Sequence, residues 1–223
     1  MAARTPAGFW PARCLVFWGL ALVVLAAGAH WVCPGGTCVI TAFDHAGLAL
    51  AENWRPPGLA AAMTAITWLG SLFLLVPLTA WLAWRRLRAG RANEGRFLLA
   101  ALLGAAALAH AAKLWVARPR PEPLFAWVDM PADWSYPSAH AMQAVAFVLA
   151  LVLVAGRPLR GWLVSMLLIA LLVGVSRVYL HVHYPSDVVI GALAAVFWVW
   201  GLHGLMFPRA AGDGANRFAT GGR

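Results

Sequence analysis

The chain has 223 residues, of which 62% are hydrophobic and only 11% charged, and its formal net charge is +9. A soluble domain is usually about 45–50% apolar, and a folded chain of this size has too much surface to hide so large an apolar excess. Because disorder requires low hydrophobicity, the composition predicts an integral membrane protein.

Apolar stretches long enough to span a bilayer, roughly 20 residues each, predict an all-α, polytopic bundle of six transmembrane helices. In chain order they are residues 14–32, 58–84, 97–116, 138–155, 162–180 and 188–207. The first stretch also resembles a secretory signal, because Arg4 and Arg13 precede an apolar run that ends in small residues. That run is long for a signal, so we expect it to be retained as the first span.

The arginines predict the orientation of this bundle. Most cationic residues lie in the N-terminus, in the connections after the second and fourth spans and in the tail. The positive-inside rule makes that side cytoplasmic, so the positive charge is assigned to topology and no nucleic-acid partner is expected. We expect a bacterial inner (cytoplasmic) membrane protein with one domain over residues 1–208. The tail, residues 209–223, is expected to be disordered and cytoplasmic.

The three cysteines predict little by themselves. Cys14 falls in or beside the first span, where inert packing is expected. Cys33 and Cys38 fall on the outer face, where an oxidising compartment would allow a disulfide. Their spacing does not fit a metal site of the C-x-x-C type, and disulfide and free thiols remain alternatives.

Three polar segments lie at the outer ends of the spans, at residues 113–121, 135–140 and 176–187. A charge beside the hydrocarbon layer usually has a partner or a function, and few acidic residues on this side are available to Lys113, Arg120 and Arg177. We therefore predict an anionic ligand, since arginine forks and a lysine ammonium suit phosphate oxygens. Arg118 is interpreted as a flanking cation or a headgroup contact.

The histidines of these segments predict phosphoryl transfer. Asp187 follows His183 by four residues, a spacing that could bring the carboxylate to one ring nitrogen and leave the other free as a nucleophile. His140, at the start of the fourth span, could protonate a leaving oxygen. One histidine that attacks and one that donates a proton describe a reaction through a phosphohistidine.

The three segments resemble the type 2 phosphatidic acid phosphatase superfamily, which also contains vanadium haloperoxidases and bacterial acid phosphatases. Its signature is K-x6-R-P, then P-S-G-H, then S-R-x5-H-x3-D. The first part matches from Lys113 to Pro121, and the third from Ser176 to Asp187. The second part has Ala139 where the family usually has glycine. Since alanine does not easily take a positive φ, the backbone there is expected to be ordinary or the site mildly altered.

The resemblance implies a role for each matching residue and a membrane-bound lipid phosphatase as the function. His183 would be the nucleophile, Asp187 would orient it, and His140 would be the general acid and then the base for water. Phosphate oxygens would be held by Lys113, Arg120, Ser138, Arg177 and the backbone N–H of Ala139. The family reaction needs no metal or other cofactor, and none is expected here.

A site at the outer, periplasmic ends of the spans implies a phosphorylated lipid substrate whose chains stay in the bilayer. Undecaprenyl pyrophosphate, phosphatidic acid, phosphatidylglycerophosphate and lipid A phosphates all fit, and the sequence does not choose among them. A transporter is disfavoured, because no inverted repeat and no polar group near the midplane is visible. A catalytically inactive binding protein is the other alternative, and Ala139 is its only support.

Overall fold

The computed structural model describes residues 9–125, 130–155 and 160–208, and in these ranges the chain is helical without strands. Eight α-helices follow one another: α1 (Phe9–Val32), α2 (Ala42–Asn53), α3 (Leu59–Thr67), α4 (Leu72–Arg88), α5 (Ala92–Val116), α6 (Ala139–Val154), α7 (Arg160–Tyr179) and α8 (Pro185–Met206). The expected all-α class is confirmed. The tail predicted from residue 209 lies outside the described residues.

Each predicted span falls on helical structure, but the second is broken. Helices α3 and α4 meet at an angle of 43°, around a short 3-10 helix at Trp68–Gly70. The break is stabilised locally, since the Ser71 hydroxyl accepts a hydrogen bond from the Phe73 N–H at 3.2 Å and caps α4. Gly70 fits there because a Cβ atom would lie 3.0 Å from the His140 carbonyl oxygen.

Some of these helices are long and apolar enough to cross a membrane. Within the described residues, α5, α8 and residues 14–32 of α1 are long and apolar enough to span, and the bent pair α3–α4 brings the number to four. Helix α6 and the stretch Leu163–Tyr179 are apolar but shorter. The chain is a multi-pass membrane protein, while the count of six spans remains a prediction.

Small residues allow the helices to approach closely, as is usual in membrane bundles. An alanine stripe on α5 is buried at about one residue per turn, formed by Ala101, Ala105, Ala109 and Ala112. On α8, Gly191 lies against the turn that begins α6, and a Cβ there would lie 3.1 Å from the Ser138 carbonyl oxygen. Helix α8 packs against α1 and α6, and α5 packs against α4 and α6. This packing brings the two polar helix starts together.

The helix directions place the three polar segments at one end of the bundle. Helices α5 and α7 end there, at Val116 and Tyr179, and α6 and α8 begin there. The arginine-rich last turn of α4 and the short link to α5 lie at the opposite end. The same polar end carries α2, which the sequence interpretation missed, and the Cys33–Cys38 disulfide. Of the two alternatives left open by the cysteine spacing, a disulfide and free thiols, the structure has the disulfide.

Candidate active site

A pocket of about 230 Å³ opens at the polar end of the bundle. It is lined by Ser71, Leu72, Phe73, Lys113, Arg120, Pro131, Asp133, Ala139, His140, Gln143, Arg177 and His183. Six of the eight residues predicted for the site are in this set, two from each of the three polar segments. The other two, Ser138 and Asp187, lie directly behind the pocket and are fully buried.

The His183 imidazole has one nitrogen towards a carboxylate and the other towards a cation. Its Nδ1 atom lies 3.6 Å from Asp187 Oδ2 and 3.4 Å from Ser135 Oγ, while the Ser135 hydroxyl donates to Asp187 Oδ2. Ser135 therefore bridges the imidazole and the carboxylate. On the other side, Arg120 Nη1 lies 3.2 Å from His183 Nε2. This geometry favours a proton on Nδ1 and a lone pair on Nε2.

The electrostatic surroundings keep this imidazole neutral. Burial lowers the pKa of His183 well below its ordinary value, and the charges of Arg120, Arg177 and Lys113 lower it further. A neutral ring retains the Nε2 lone pair at physiological pH. That property is required of a nucleophile.

Asp133 occupies the position between two of the predicted phosphate ligands. Its carboxylate contacts Lys113 Nζ at 3.1 Å and also pairs with the guanidinium of Arg120. Although burial by itself would raise the pKa of Asp133, the charges of Lys113 and Arg120 hold it below the ordinary value. The side chain is 45% exposed, so this anion lies at the solvent-accessible side of the pocket.

Two buried polar atoms at the pocket have no hydrogen-bond partner within the described residues. They are Ser138 Oγ and Arg177 Nε. Arg177 is held in place by its Nη1, which donates to Thr67 Oγ1 at 2.7 Å, and it forms no ion pair in the described ranges. An unsatisfied buried polar group costs about 1–3 kcal/mol. Both atoms are therefore suited to a bound anion.

Ala139, which differs from the family signature, adopts ordinary helical backbone. It is the first residue of α6 and is not among the residues with positive φ, which outside glycine are Ala117 and His181 in the described ranges. The first of the two expectations for this position, an ordinary backbone, is the one observed. The N–H groups at the start of α6 remain available to an anion, as helix N-termini commonly are.

The interpretation of Arg118 as a flanking cation or a headgroup contact was wrong. The side chain is 1% exposed and lies behind the pocket, where its Nη1 donates to Asp187 Oδ1 at 2.7 Å and its Nη2 to Asp44 Oδ2 at 2.8 Å. Two carboxylates satisfy a charge that the sequence analysis had assigned to the surface. The spacing of the motif fixes where Arg118 stands in the chain, but not which way it faces.

Sequence reasoning also missed several polar residues that the structure places at the site. Ser135 and Asp133 lie within or next to a recognised segment, and their short distance from His140 in the chain could have indicated them. Gln143 lines the pocket one helical turn after His140 and is 5% exposed, a spacing that places both on one face. Asp44 carried a weaker signal, the Thr41–Asp44 pair that forms the capping box of α2.

The chain is similar to known proteins in family and in fold. The PAP2 superfamily model matches residues 94–210, which include all three polar segments. Phosphatidylglycerophosphatase B of Bacillus subtilis (strain 168) is 32% identical over 179 residues, which are 77% of this chain and 84% of the relative.

Two solved structures resemble the fold. One is the transmembrane PAP2 type phosphatidylglycerolphosphate phosphatase from Bacillus subtilis, which aligns with a TM-score of 0.70 and 28% identity over 86% of this chain and 95% of that chain. The other is Aquifex aeolicus LpxE, with a TM-score of 0.56 and 31% identity over 72% of this chain and 93% of that chain.

The position of Asp133 predicts that it competes with anions for the pocket. We expect Asp133→Asn to bind inorganic phosphate about fivefold more tightly, since a half-exposed ion pair of up to about 1 kcal/mol no longer has to be broken. Isothermal titration calorimetry on the purified protein in detergent measures this. Glu122→Gln is the matched control, because it removes one negative charge from the same connection and should not change the affinity. Equal or weaker phosphate binding by Asp133→Asn would contradict the prediction.

Proposed function

Because the chain belongs to the PAP2 superfamily, we propose that it is an integral membrane phosphatase that hydrolyses a lipid phosphate monoester or pyrophosphate through a phosphohistidine. The observation that carries this proposal is the His183 imidazole. Its Nδ1 faces Asp187 and Ser135, and its Nε2 faces a pocket lined by Lys113, Arg120 and Arg177. A neutral, oriented imidazole beside a group of cations is suited to attack on a phosphate.

In the first step, His183 Nε2 attacks phosphorus and the bond from phosphorus to the lipid oxygen breaks. His140 lines the same pocket and donates its proton to the leaving oxygen, which contributes about 10²–10⁴-fold in comparable reactions. In the second step, His140 accepts a proton from water, and the water oxygen attacks phosphorus. The phosphorus–nitrogen bond breaks, and inorganic phosphate is released.

The phosphate oxygens are held by the cations and donors of the pocket. The substrate phosphate replaces the Asp133 carboxylate as the ion-pair partner of Lys113 and Arg120. Arg177 donates from its Nε, which has no partner within the described residues. Ser138 Oγ and the N–H of Ala139 complete the set. Such preorganised donors act mainly on the charge that develops in the transition state, and the loss of one donor typically costs about 100-fold or more in kcat.

The shape of the pocket favours a lipid as the substrate. Since water takes about 30 Å³ per molecule, a volume of 230 Å³ holds a phosphorylated headgroup and leaves the chains outside. The rim carries Leu72 and Phe73, and Phe73 is 85% exposed, as suits contact with hydrocarbon. Polyprenyl pyrophosphate, phosphatidic acid, phosphatidylglycerophosphate and lipid A phosphate are all compatible with this arrangement.

The arginine distribution supports a periplasmic site in a bacterial inner membrane. The last turn of α4 carries Arg85, Arg86 and Arg88, and the link to α5 carries Arg91, all at the end of the bundle opposite the pocket. The positive-inside rule assigns that end to the cytoplasm. Lipids of the outer leaflet would then present their headgroups at the level of the pocket.

A panel of phosphorylated lipids assayed for phosphate release in detergent tests the function. We expect release from at least one of the four lipid classes, unchanged by EDTA, and at least a thousandfold loss in His183→Ala because the nucleophile is absent. The matched control is His45→Ala, which removes an exposed histidine on α2 at the same end of the bundle and should retain activity. A His183→Ala variant with a tenth of the parental rate would rule out the nucleophile assignment, and loss of activity in EDTA would rule out metal independence.

Arg177→Lys tests whether the pocket requires a guanidinium. Arg177 already donates to Thr67 through Nη1, and a single ammonium cannot keep that bond and present a planar fork to phosphate. We expect kcat to fall about 100-fold. Arg55→Lys is the control, because Arg55 is exposed at the same end of the bundle. Unchanged kinetics in Arg177→Lys would remove Arg177 from the site.

A further inference from the structure

Behind the pocket, a buried network connects α2 to the carboxylate beside His183. Arg118 lies between Asp44 and Asp187, and the exposed fractions of the three residues are 1%, 0% and 0%. Arg118 Nη1 donates to Asp187 Oδ1 at 2.7 Å and to Ser186 Oγ at 2.9 Å. Its Nη2 donates to Asp44 Oδ2 and to the Val39 carbonyl oxygen, both at 2.8 Å. None of these atoms reaches the pocket.

We propose that Arg118 and Asp44 are positioning residues, which together fix the orientation and the charge of Asp187 and thereby the reactivity of His183. This inference rests on the proposed function. It assigns a catalytic effect to α2, a helix that carries none of the three motif segments. Neither residue touches the substrate, and both act through Asp187.

The two oxygens of Asp187 have different partners, and this fixes the orientation of the carboxylate. Arg118 holds Oδ1, so that Oδ2 is the oxygen left for Ser135, for the Tyr184 N–H at 3.0 Å and for His183. The guanidinium is itself held in one plane, since its central carbon lies 4.0 Å from the centre of the Tyr184 ring. A rotation of the carboxylate would therefore break several bonds at once.

The number of carboxylates on Arg118 sets the net charge of the buried cluster. One guanidinium pairs with two buried carboxylates, so the cluster retains one net negative charge. If Asp44 were neutral, Arg118 would cancel the charge of Asp187. Asp44 thus preserves a negative charge next to Nδ1, where positive charge develops as Nε2 bonds to phosphorus. Buried charges interact strongly because the surroundings screen them poorly.

Stability alone does not explain why three charged side chains are buried here. Removing three charged groups from water is costly, and well-packed apolar side chains in their place often give equal or greater stability. The network also ends on Asp187. The remaining charged and titratable groups that face His183 come from other elements: Lys113 on α5, Arg120 and Asp133 in the connection to α6, His140 on α6 and Arg177 on α7. The proposed variants leave all of them in place.

The test measures the pH dependence of kcat/KM for Arg118→Gln, Asp44→Asn and the double variant. The acidic limb of this profile reports protonation of the free enzyme's essential base, and the substrate's own titration is common to all variants. Arg118→Gln makes the cluster more negative, so its acidic limb moves to higher pH. Asp44→Asn makes the cluster neutral, and its limb moves to lower pH. The double variant restores one net negative charge, and its limb returns towards that of the parent.

The expected shifts are about half a pH unit or more in opposite directions, since a charged neighbour at contact distance shifts a pKa by about 1–3 units and Asp44 lies one guanidinium further away. We expect kcat per folded molecule to fall about 10- to 100-fold in each single variant, as for other residues that orient a reacting group, with KM changed less than threefold. Arg118→Lys retains the charge but not the fork. It should therefore keep the parental limb and lose less activity than Arg118→Gln.

Folding is monitored by the elution volume and the thermal unfolding midpoint in detergent. If Arg118→Gln does not fold, Asp44→Asn and Arg118→Lys carry the test. Arg86→Gln is the matched control, because it breaks the Arg86–Glu94 ion pair of 3.0 Å at the opposite end of the bundle and should leave the profile unchanged.

Two results would overturn the proposal. One is an acidic limb at the same pH in Asp44→Asn and the parent. The other is activity that falls only in proportion to the folded fraction. Either result, obtained together with an inactive His183→Ala, would leave the proposed function intact. An active His183→Ala would instead refute the proposed function itself.

Discussion

The structure depends on one fully buried carboxylate, that of Asp187. In a low-dielectric site such a charge is stable only if it is paired and hydrogen-bonded, and its partners come from distant parts of the chain. Arg118 follows α5, Ser135 precedes α6, and Tyr184 immediately precedes α8. A fourth contact is made by the main chain of Asp187, whose backbone carbonyl oxygen accepts a hydrogen bond from the Ser138 N–H at 3.1 Å. Satisfying this carboxylate therefore assembles the three polar segments at one end of the bundle.

The sequence predicted the parts of this arrangement that depend on composition and spacing. Long apolar stretches have few alternatives to helices in a bilayer, so each predicted span falls on helical structure. The break near Gly70 was not visible, since it depends on a local cap at Ser71 and on space beside His140. Helix α2 was missed because twelve residues are too few to span, and its role depends on contacts made far away in the chain.

The same distinction explains which site residues were found. Eight residues at the pocket or directly behind it stand at fixed spacings in the three segments, and spacing predicted them; six of them line the pocket. The other polar residues at the site, such as Gln143 in the pocket and Arg118 behind it, carry no such pattern. Arg118 and Arg120 are separated only by Pro119, yet Arg118 faces the buried carboxylates and Arg120 faces the pocket. The direction of a side chain in an irregular segment is set by its tertiary partners, and here the partner of Arg118 is 74 residues away at Asp44.

Charges of opposite sign therefore lie on the two sides of the His183 ring. On the pocket side, Lys113, Arg120 and Arg177 exceed the single carboxylate of Asp133, which suits a phosphate dianion. On the buried side, Asp44 and Asp187 exceed Arg118, which would suit the positive charge that the ring acquires in the proposed phosphohistidine. The pocket cations by themselves would oppose that charge, because they disfavour a cationic imidazole. In the proposed mechanism, a site that binds phosphate strongly enough to react therefore requires a compensating anion behind His183, and that requirement would account for two acidic residues on one buried arginine.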